Sequence, residues 1–479
     1  MAILLGIYLR HDASVAVSVN GKVRYRKAER YRGNKHANAG LQFVFDTLKE
    51  WGIDKVDYCA YCADNRNGHD TCQGADLFNK GTLSDKFPNN FCVDHHYAHI
   101  LSAWPVVDTE LVDYGVCIDG KGDKDKSTTV IKSPANNPEI LHIDRFPHMG
   151  FEFYALGDLL KFKGLEFDIA GKLMGLQAYP EESFSQFGLK PLKNIDLSSL
   201  PSCKLGATHN TLKDWHDYWW KYVDGVFNFN KEATVVYAGG CAQNSVYNYN
   251  LKRKFNNLHI PPHCYDGGLS LGCLEFLRLK FNEPKFDRSG FPYWQDDEVQ
   301  DTPTSDTIKR AAELIARGKI VGWMQGRGEL GPRALGNRSI LMSADRADNK
   351  DILNSKVKFR EPWRPYAGAV LKEKAQHYFD MAESKYMLYA SNVISSDIPA
   401  VTHVDGTCRM QTVESGPFYE LIAEYERLTG LPVILNTSMN LMGKPITSFK
   451  YDAMSLFNTT AIDAMIVGND IERKCKKFL

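Results

Sequence analysis

Residues 1–29, "MAILLGIYLRHDASVAVSVNGKVRYRKAE", run from one apolar stretch through a polar break at Arg10, His11 and Asp12 into a second, then past "VNG" into a third. The pattern predicts two strands around a loop and a third strand after a tight turn, where Asn20 and Gly21 supply the positive φ that the reversal needs. "NAGLQFVFDTLKEWGI" (38–53) switches to helical spacing and runs out at a glycine, which predicts a C-capped helix. Strand and helix patterns then alternate through "VDYCAYCA", "NNFCVDHHYAHILSAW", "DYGVCIDG", "STTVIKS", "ATVVYAGGCAQNSVYNYNLKRKF" and "NLHIPPH". That alternation defines an α/β domain. Residues 281–307 are rich in proline, acid and turn formers, and "TIKRAAELIARGKIVGWMQG" (307–326) restarts a helix running into a strand. The expected division is a first domain over 1–290, a linker over 291–307 and a second α/β domain over 308–479. No fixed-period repeat is visible.

A chain of 479 residues, 43% hydrophobic, has room for two or three domains and a large core. Its 58 basic and 58 acidic residues cancel, so no overall field points to nucleic acid or membrane, and a charged partner would have to meet a local patch. The first apolar run is too short for a signal or membrane segment and lacks a basic leader, so the expectation is a soluble, cytoplasmic protein without a membrane partner. Eleven cysteines, an odd number in apolar surroundings, suit reduced, buried thiols. Cys59 and Cys62, with His69 and Cys72, have the look of a zinc knuckle. On a strand, however, positions three apart face opposite sides, which suits two core residues better than two ligands.

"DHHYAHI" (94–100) sets His95 and His99 one helical turn apart, so their imidazoles share a face. Asp119 in "GVCIDGKGD" and Asp266 in "HCYDGGLSLG" each follow an apolar strand and precede glycine, the place from which active-site groups leave a parallel sheet. Two histidines and two carboxylates suit Fe(II), Mn or Zn; helix-capping or core histidines are the alternative. Gly239 and Gly240, ahead of Asn244 and its helix, and the glycines after Asp266 would let backbone N–H groups approach a nucleotide, or form plain turns. In the second domain Arg327, Arg333, Arg338, Lys358, Arg360 and Arg364 crowd two stretches laced with Gly, Pro and aromatics. A solvated helix face would interleave acids at i,i+4, so clamping of a polyphosphate is the better reading, with Arg409, Asn436, Thr437 and Ser438 completing the pocket.

The segments "HDAS", "HHYAHILSA", "GKLMGLQAY", "GGCAQN", "GPRALGNRSIL", "VKFREPWRPYA" and "NTSMNLMGKPI", spread in order from residue 6 to about 470, resemble the O-carbamoyltransferases of the nodulation-factor and aminoglycoside-antibiotic type. The resemblance implies an N-terminal actin/Hsp70-like domain that passes a carbamoyl group to an acceptor hydroxyl. It also implies a C-terminal YrdC-like α/β domain that makes carbamoyl adenylate from carbamoyl phosphate and ATP with Mg²⁺. It puts a metal, Fe(II) by preference, on His95, His99, Asp119 and Asp266, and the adenylate against Gly120, Lys172, Gly239, Gly240 and Asn244. Carbamoyl phosphate and ATP would be held by Arg333, Arg338, Lys358, Arg364, Arg409, Asn436 and Ser438. His11, as general base, and Lys35, steadying the carbonyl or leaving phosphate, would serve the transfer.

Three positions depart from the family pattern: no acid directly precedes "GKLMGL", which bears on Lys172, and Met439 and Lys444 replace the commoner Phe and Glu. The acceptor is less defined. Lys22, Arg24, Arg26, Lys27, Arg30, Arg32 and Lys35 against Glu29 form either a solvated strand or a guide for a phosphate-bearing acceptor, a nucleotide or DNA with a hydroxymethylated base. A sugar hydroxyl is the more usual acceptor. Compact length and Asn/Lys-rich stretches point by composition to a virus-encoded protein, and a homodimer is compatible with the resemblance. The competing functions are a threonylcarbamoyl-adenylate-dependent RNA-modifying enzyme and a nucleotide-binding scaffold without turnover.

Overall fold

The computed structural model describes residues 1–62 and 76–474. His69 and Cys72 lie outside them, while Cys59 and Cys62 are buried. The chain forms two compact units, the first of Met1–Leu173 with Phe184–Trp294, the second of Met174–Ser183 with Gln295–Leu479. Apart from the excursion over Met174–Ser183, the chain passes to the second unit between Trp294 and Gln295, and most of the stretch expected as a linker belongs to that unit. The reason is local: Gln295 and Asp297 are buried, and they bond to Arg327, Gly328 and Arg338.

In the first unit, β1 (Leu4–Tyr8), β2 (Ser14–Val19) and β3 (Lys22–Lys27) form an antiparallel meander. β4 (Tyr58–Cys62) and β6 (Asn90–Val93) extend it in parallel beyond β1, and β5 (Phe78–Lys80) closes the edge, giving the order β3-β2-β1-β4-β6-β5. The second sheet repeats the plan. β7 (Tyr114–Ile118), β8 (Thr128–Lys132) and β9 (Glu139–Asp144) make a meander, and β10 (Thr234–Ala238) and β11 (Asn257–His259) add in parallel to β7. Two copies of a 3-2-1-4-5 sheet, each followed by a helix, are the actin/Hsp70-like arrangement. The duplication lies in topology, which is why no sequence period revealed it.

Alternation along β1 and β2 drives one face, Leu5, Ile7, Val15 and Val17, against Val44 and Leu48 of the helix Leu41–Glu50. The closing helices of the two copies, His95–Leu101 and Leu269–Lys280, pack directly on each other. A Cβ added to Gly272 would lie 1.8 Å from the carbonyl oxygen of Ala98, between His95 and His99. Gly272→Ala is therefore expected to cost about 1–3 kcal/mol by overpacking. Chemical denaturation measures that loss, and an unchanged midpoint would refute the close approach.

The second unit is an eight-stranded mixed sheet ordered β15-β16-β14-β17-β13-β12-β18-β19. Its strands are β12 (Val321–Met324), β13 (Arg338–Ser343), β14 (Ala367–Leu371), β15 (Ala390–Asn392), β16 (Thr407–Val413), β17 (Val433–Ser438), β18 (Ala464–Val467) and β19 (Asp470–Arg473). The helix Ser305–Ala316 buries Ile308, Ala311, Ala312 and Ile315, spaced at one helical face, and Thr304 caps it by accepting from the Thr307 N–H. The helix Gly416–Thr429 packs beside it and ends in Gly430 at φ 77°.

Candidate active site

Asp94 caps the helix His95–Leu101 by accepting from the Tyr97 N–H at 3.0 Å, and it is itself pinned by Lys126 at 2.6 Å. His95 and His99 therefore leave a fixed helix on one face. Asp119 leaves the end of β7, and Asp266 leaves the loop ahead of the helix Leu269–Lys280. All four are buried. His99 Nε2 lies 3.0 Å from Asp119 Oδ2, 3.3 Å from Asp266 Oδ1 and 3.2 Å from His95 Nε2. His95 Nε2 is 3.3 Å from Asp119 and 3.6 Å from Asp266. A metal about 2.1 Å from each donor would hold tetrahedral ligands about 3.4 Å apart, so the four atoms fit a divalent cation.

Outer contacts fix the carboxylates. Tyr8 Oη donates to Asp266 at 2.5 Å, and the N–H groups of Gly120 and Gly240 donate to Asp119 at 2.7 and 3.2 Å. A Cβ on Gly240 would stand 2.9 Å from Asp119 Oδ1, so what this glycine approaches closely is the carboxylate. Burial opposes ionisation of Asp119 and Asp266, yet the neighbouring histidines hold both below the usual carboxylate range.

His11 stands at the edge of this cage, its Nε2 3.4 Å from Asp266 and its Nδ1 3.4 Å from Asp12. Burial disfavours its charge, but Asp266, Asp12 and Asp119 outweigh that and raise it to about 9. A divalent cation there would offset the same carboxylates. Phe167 stacks on His11 at 4.3 Å.

Lys35 pairs with Asp168, next to His36. Lys27 Nζ sits deeper, bonded to Asp12 at 2.7 Å, Glu29 at 2.9 Å and Tyr265 Oη at 2.7 Å. Its ammonium fills the place a second cation would take among Asp12, Glu29 and His36. Asp12 and Glu29 stood in the sequence only as a polar break and as the one acid of a basic stretch; a lysine in a strand reads as solvated, and only the fold shows it buried.

The basic stretch after residue 22 is accordingly corrected as an acceptor guide. Arg26, Lys27 and Arg30 are buried, Arg26 pairs with Glu50 at 2.6 Å, and Arg24 and Arg32 donate to backbone carbonyls. Asn244 caps the helix Ser245–Lys254 and contacts His216, while Lys172 donates to the Lys163 carbonyl, so both side chains serve local structure.

In the second unit, burial and the nearby charges of Arg333, Arg360 and Arg364 hold Arg409 well below the ordinary guanidinium range. Arg360, stacked 4.2 Å over Tyr366, is lowered to about 10, chiefly by burial. Four like charges thus converge. Lys358 Nζ donates to Ser438 O, Asn440 O and Asn440 Oδ1 at 2.7–2.8 Å, which ties the stretch carrying Lys358 to Ser438 at the end of β17 and adds Asn440.

The loop carrying Arg333 is assembled on two buried charges. Glu329 Oε1 accepts from the N–H groups of Leu335, Asn337 and Arg338 at 2.7–3.0 Å. The fully buried Arg338 donates to the carbonyls of Gln325, Asn337, Asp297 and Gly326. Its guanidinium also lies 3.3 Å from the Asp297 carboxylate, so Arg338 is corrected: buried and paired within the protein, it holds the loop. Asn436 donates to Gln411 and the Ala334 carbonyl, and its Oδ1 has no hydrogen-bond partner among the described residues.

Residues 312–474 match the family model "Carbamoyltransferase C-terminus". The chain is similar to nodulation protein NolNO of Sinorhizobium fredii, 30% identical over 84% of this chain and 67% of that protein. It is also similar to nodulation protein NolO of Bradyrhizobium diazoefficiens, 29% identical over 80% and 79%. Among solved structures, full-length HypF in its phosphate- and nucleotide-bound form overlaps 59% of the chain and 56% of its own, with 16% identity and a TM-score of 0.38. Among the described residues, no helix is long and apolar enough to cross a membrane. A duplicated actin/Hsp70-like unit with a buried histidine–aspartate cage, joined to this C-terminal domain, places the chain in the family of O-carbamoyltransferases of the nodulation-protein type, enzymes that transfer a carbamoyl group to a hydroxyl.

Proposed function

We propose that the second unit, a YrdC-like module, makes carbamoyl adenylate from carbamoyl phosphate and ATP·Mg²⁺, and that the first unit transfers its carbamoyl group to an acceptor hydroxyl. The observation that carries this reading is the convergence of Arg333, Arg360 and Arg364 on Arg409, a set of like charges that a polyphosphate would stabilise. Water would cleave carbamoyl phosphate to carbamate and phosphate. A carbamate oxygen would then attack the α-phosphorus of ATP and expel pyrophosphate, the arginines bearing the charge that develops on the phosphoryl oxygens. In the first unit the acceptor oxygen would attack the carbamoyl carbon and AMP would leave with the electrons of the anhydride bond.

His95, His99, Asp119 and Asp266 would hold Fe(II), with Mn or Zn as alternatives, to supply Lewis acidity beside that carbon. His11, at the rim, would take the acceptor proton once a cation offsets Asp266 and Asp119. Lys35 would steady the phosphate of the departing AMP. The acceptor would be the hydroxymethyl group of a modified pyrimidine, as nucleotide or in DNA, or a sugar hydroxyl.

Mass spectrometry of a reaction containing ATP, Mg²⁺, Fe(II), carbamoyl phosphate and these acceptors should show phosphate, pyrophosphate and AMP, with one carbamoyl mass gained by one acceptor. Product from threonine and bicarbonate without carbamoyl phosphate would favour the RNA-modifying alternative. ATP binding without any turnover would favour the scaffold.

A further inference from the structure

Beside the cage, the first unit leaves several aromatic rings in solvent: Phe146 is 48% exposed, Phe151 40% and Phe167 48%. Single exposed apolar residues are ordinary, but Phe146 and Phe151 are joined through His148, and Phe167 lies on His11 at the transfer centre. Phe146 meets His148 edge-on at 6.2 Å, and His148 meets Phe151 at 5.7 Å. A Cβ on Gly150 would fall 2.7 Å from Gly120 Cα, so the start of the helix Met149–Leu159 is fastened to the loop that carries Asp119. On the other side Phe167 covers His11.

Cations share this surface. Lys121, Arg145 and His148 all act on Asp125, Lys121 is paired with it, and Arg145 Nε donates to the Lys124 carbonyl. Asp125 is paired with Lys121, and Asp144 is engaged by His142 and Tyr222, which leaves Lys124 and Arg145 as the cations of this stretch.

We propose that Phe146, His148 and Phe151, with Lys124 and Arg145, form the acceptor platform, and that its occupant is a nucleoside monophosphate whose base carries the hydroxyl to be carbamoylated. This rests on the reading of the histidine–aspartate cage as the transfer centre. Flat rings stack a base at any sequence, and the cations hold one phosphate. Cationic aminosugars are repelled by the same lysine and arginine. A polynucleotide is disfavoured because the cations of β3 and the residues after it are spent on internal partners and the chain carries no net charge.

The test is calorimetric titration of the full-length protein with 5-hydroxymethyl-2′-deoxycytidine monophosphate, its nucleoside, a single-stranded oligonucleotide containing the base, and an aminoglycoside. The monophosphate should bind most tightly. Phe151→Ala and Phe146→Ala should each weaken it by about tenfold or more, Phe151→Trp should restore binding, and Lys124→Glu with Arg145→Glu should erase the advantage over the nucleoside. Pyrophosphate release from carbamoyl phosphate and ATP should be unchanged in every variant. Equal binding of nucleoside and monophosphate, wild-type affinity in the variants, or preferential binding of the oligonucleotide or aminoglycoside overturns the platform. If wild-type protein releases no pyrophosphate, the adenylate reading fails, while the titrations still decide the platform.

Discussion

Alanine at position 99 is expected to empty the cage and stop carbamoyl transfer while pyrophosphate release continues. His99 is fully buried and its Nε2 lies 3.0–3.3 Å from the three other donors, so its loss leaves two carboxylates facing one imidazole. Loss of an outer-sphere partner alone weakens metal binding by about 10–100-fold, and loss of a ligand should exceed that. If the metal supplies about 4 kcal/mol of transition-state stabilisation, transfer falls about a thousandfold. Elemental analysis of the purified variant and mass spectrometry of the acceptor check both halves of the expectation, and a thermal melt shows whether the variant is folded. His96 is the internal control: burial lowers it to about 3, its Nδ1 bonds Thr129 at 2.8 Å, and His96→Asn should keep the metal. Full metal and full transfer in His99→Ala would remove the cage from the mechanism.

Arg409→Met is expected to abolish adenylate formation and, without ligand, to make the protein more stable. Burial and the charges of Arg333, Arg360 and Arg364 already disfavour the Arg409 guanidinium, and its Nε has no hydrogen-bond partner among the described residues. Replacing a poorly compensated charge by an apolar side chain of similar length should raise stability by about 1 kcal/mol or more. The same change removes a hydrogen-bonding charge from the polyphosphate, so pyrophosphate release should fall by about a hundredfold or more. Chemically supplied carbamoyl adenylate should still be transferred. Thermal melts with and without inorganic pyrophosphate separate the effects: pyrophosphate should stabilise wild-type protein and leave the variant unmoved. A variant that is less stable and still stabilised by pyrophosphate would show the cluster to be structural.

What the sequence discloses here depends on range. The strands of the first meander and the two histidines one turn apart are local patterns, and they appear where period and spacing put them. Asp119 was legible as a strand-end carboxylate, whereas Asp266 stands in the loop between β11 and the helix Leu269–Lys280, and only the fold brings both within reach of the histidines. Arg338 was misread because charge density cannot tell a guanidinium that meets a ligand from one enclosed by four backbone carbonyls. Lys27, Asp12 and Glu29 were read only as a basic stretch and a polar break for the opposite reason: their partners Tyr265 and His36 are brought in by long-range packing and a left-handed turn, with His36 at φ 55°. Phe146 and Phe151 drew no reading from the sequence, since exposure is set by packing and not by residue type.

The duplicated topology has an ancestral consequence. The two sheets are copies in architecture, but their chemical inheritance is divided: one copy gives both imidazoles and the other both carboxylates. Neither copy alone supplies all four donors. A bound ion would then act as a rivet between them, present only when both have folded and closed, and metal content would serve as an assay of complete assembly.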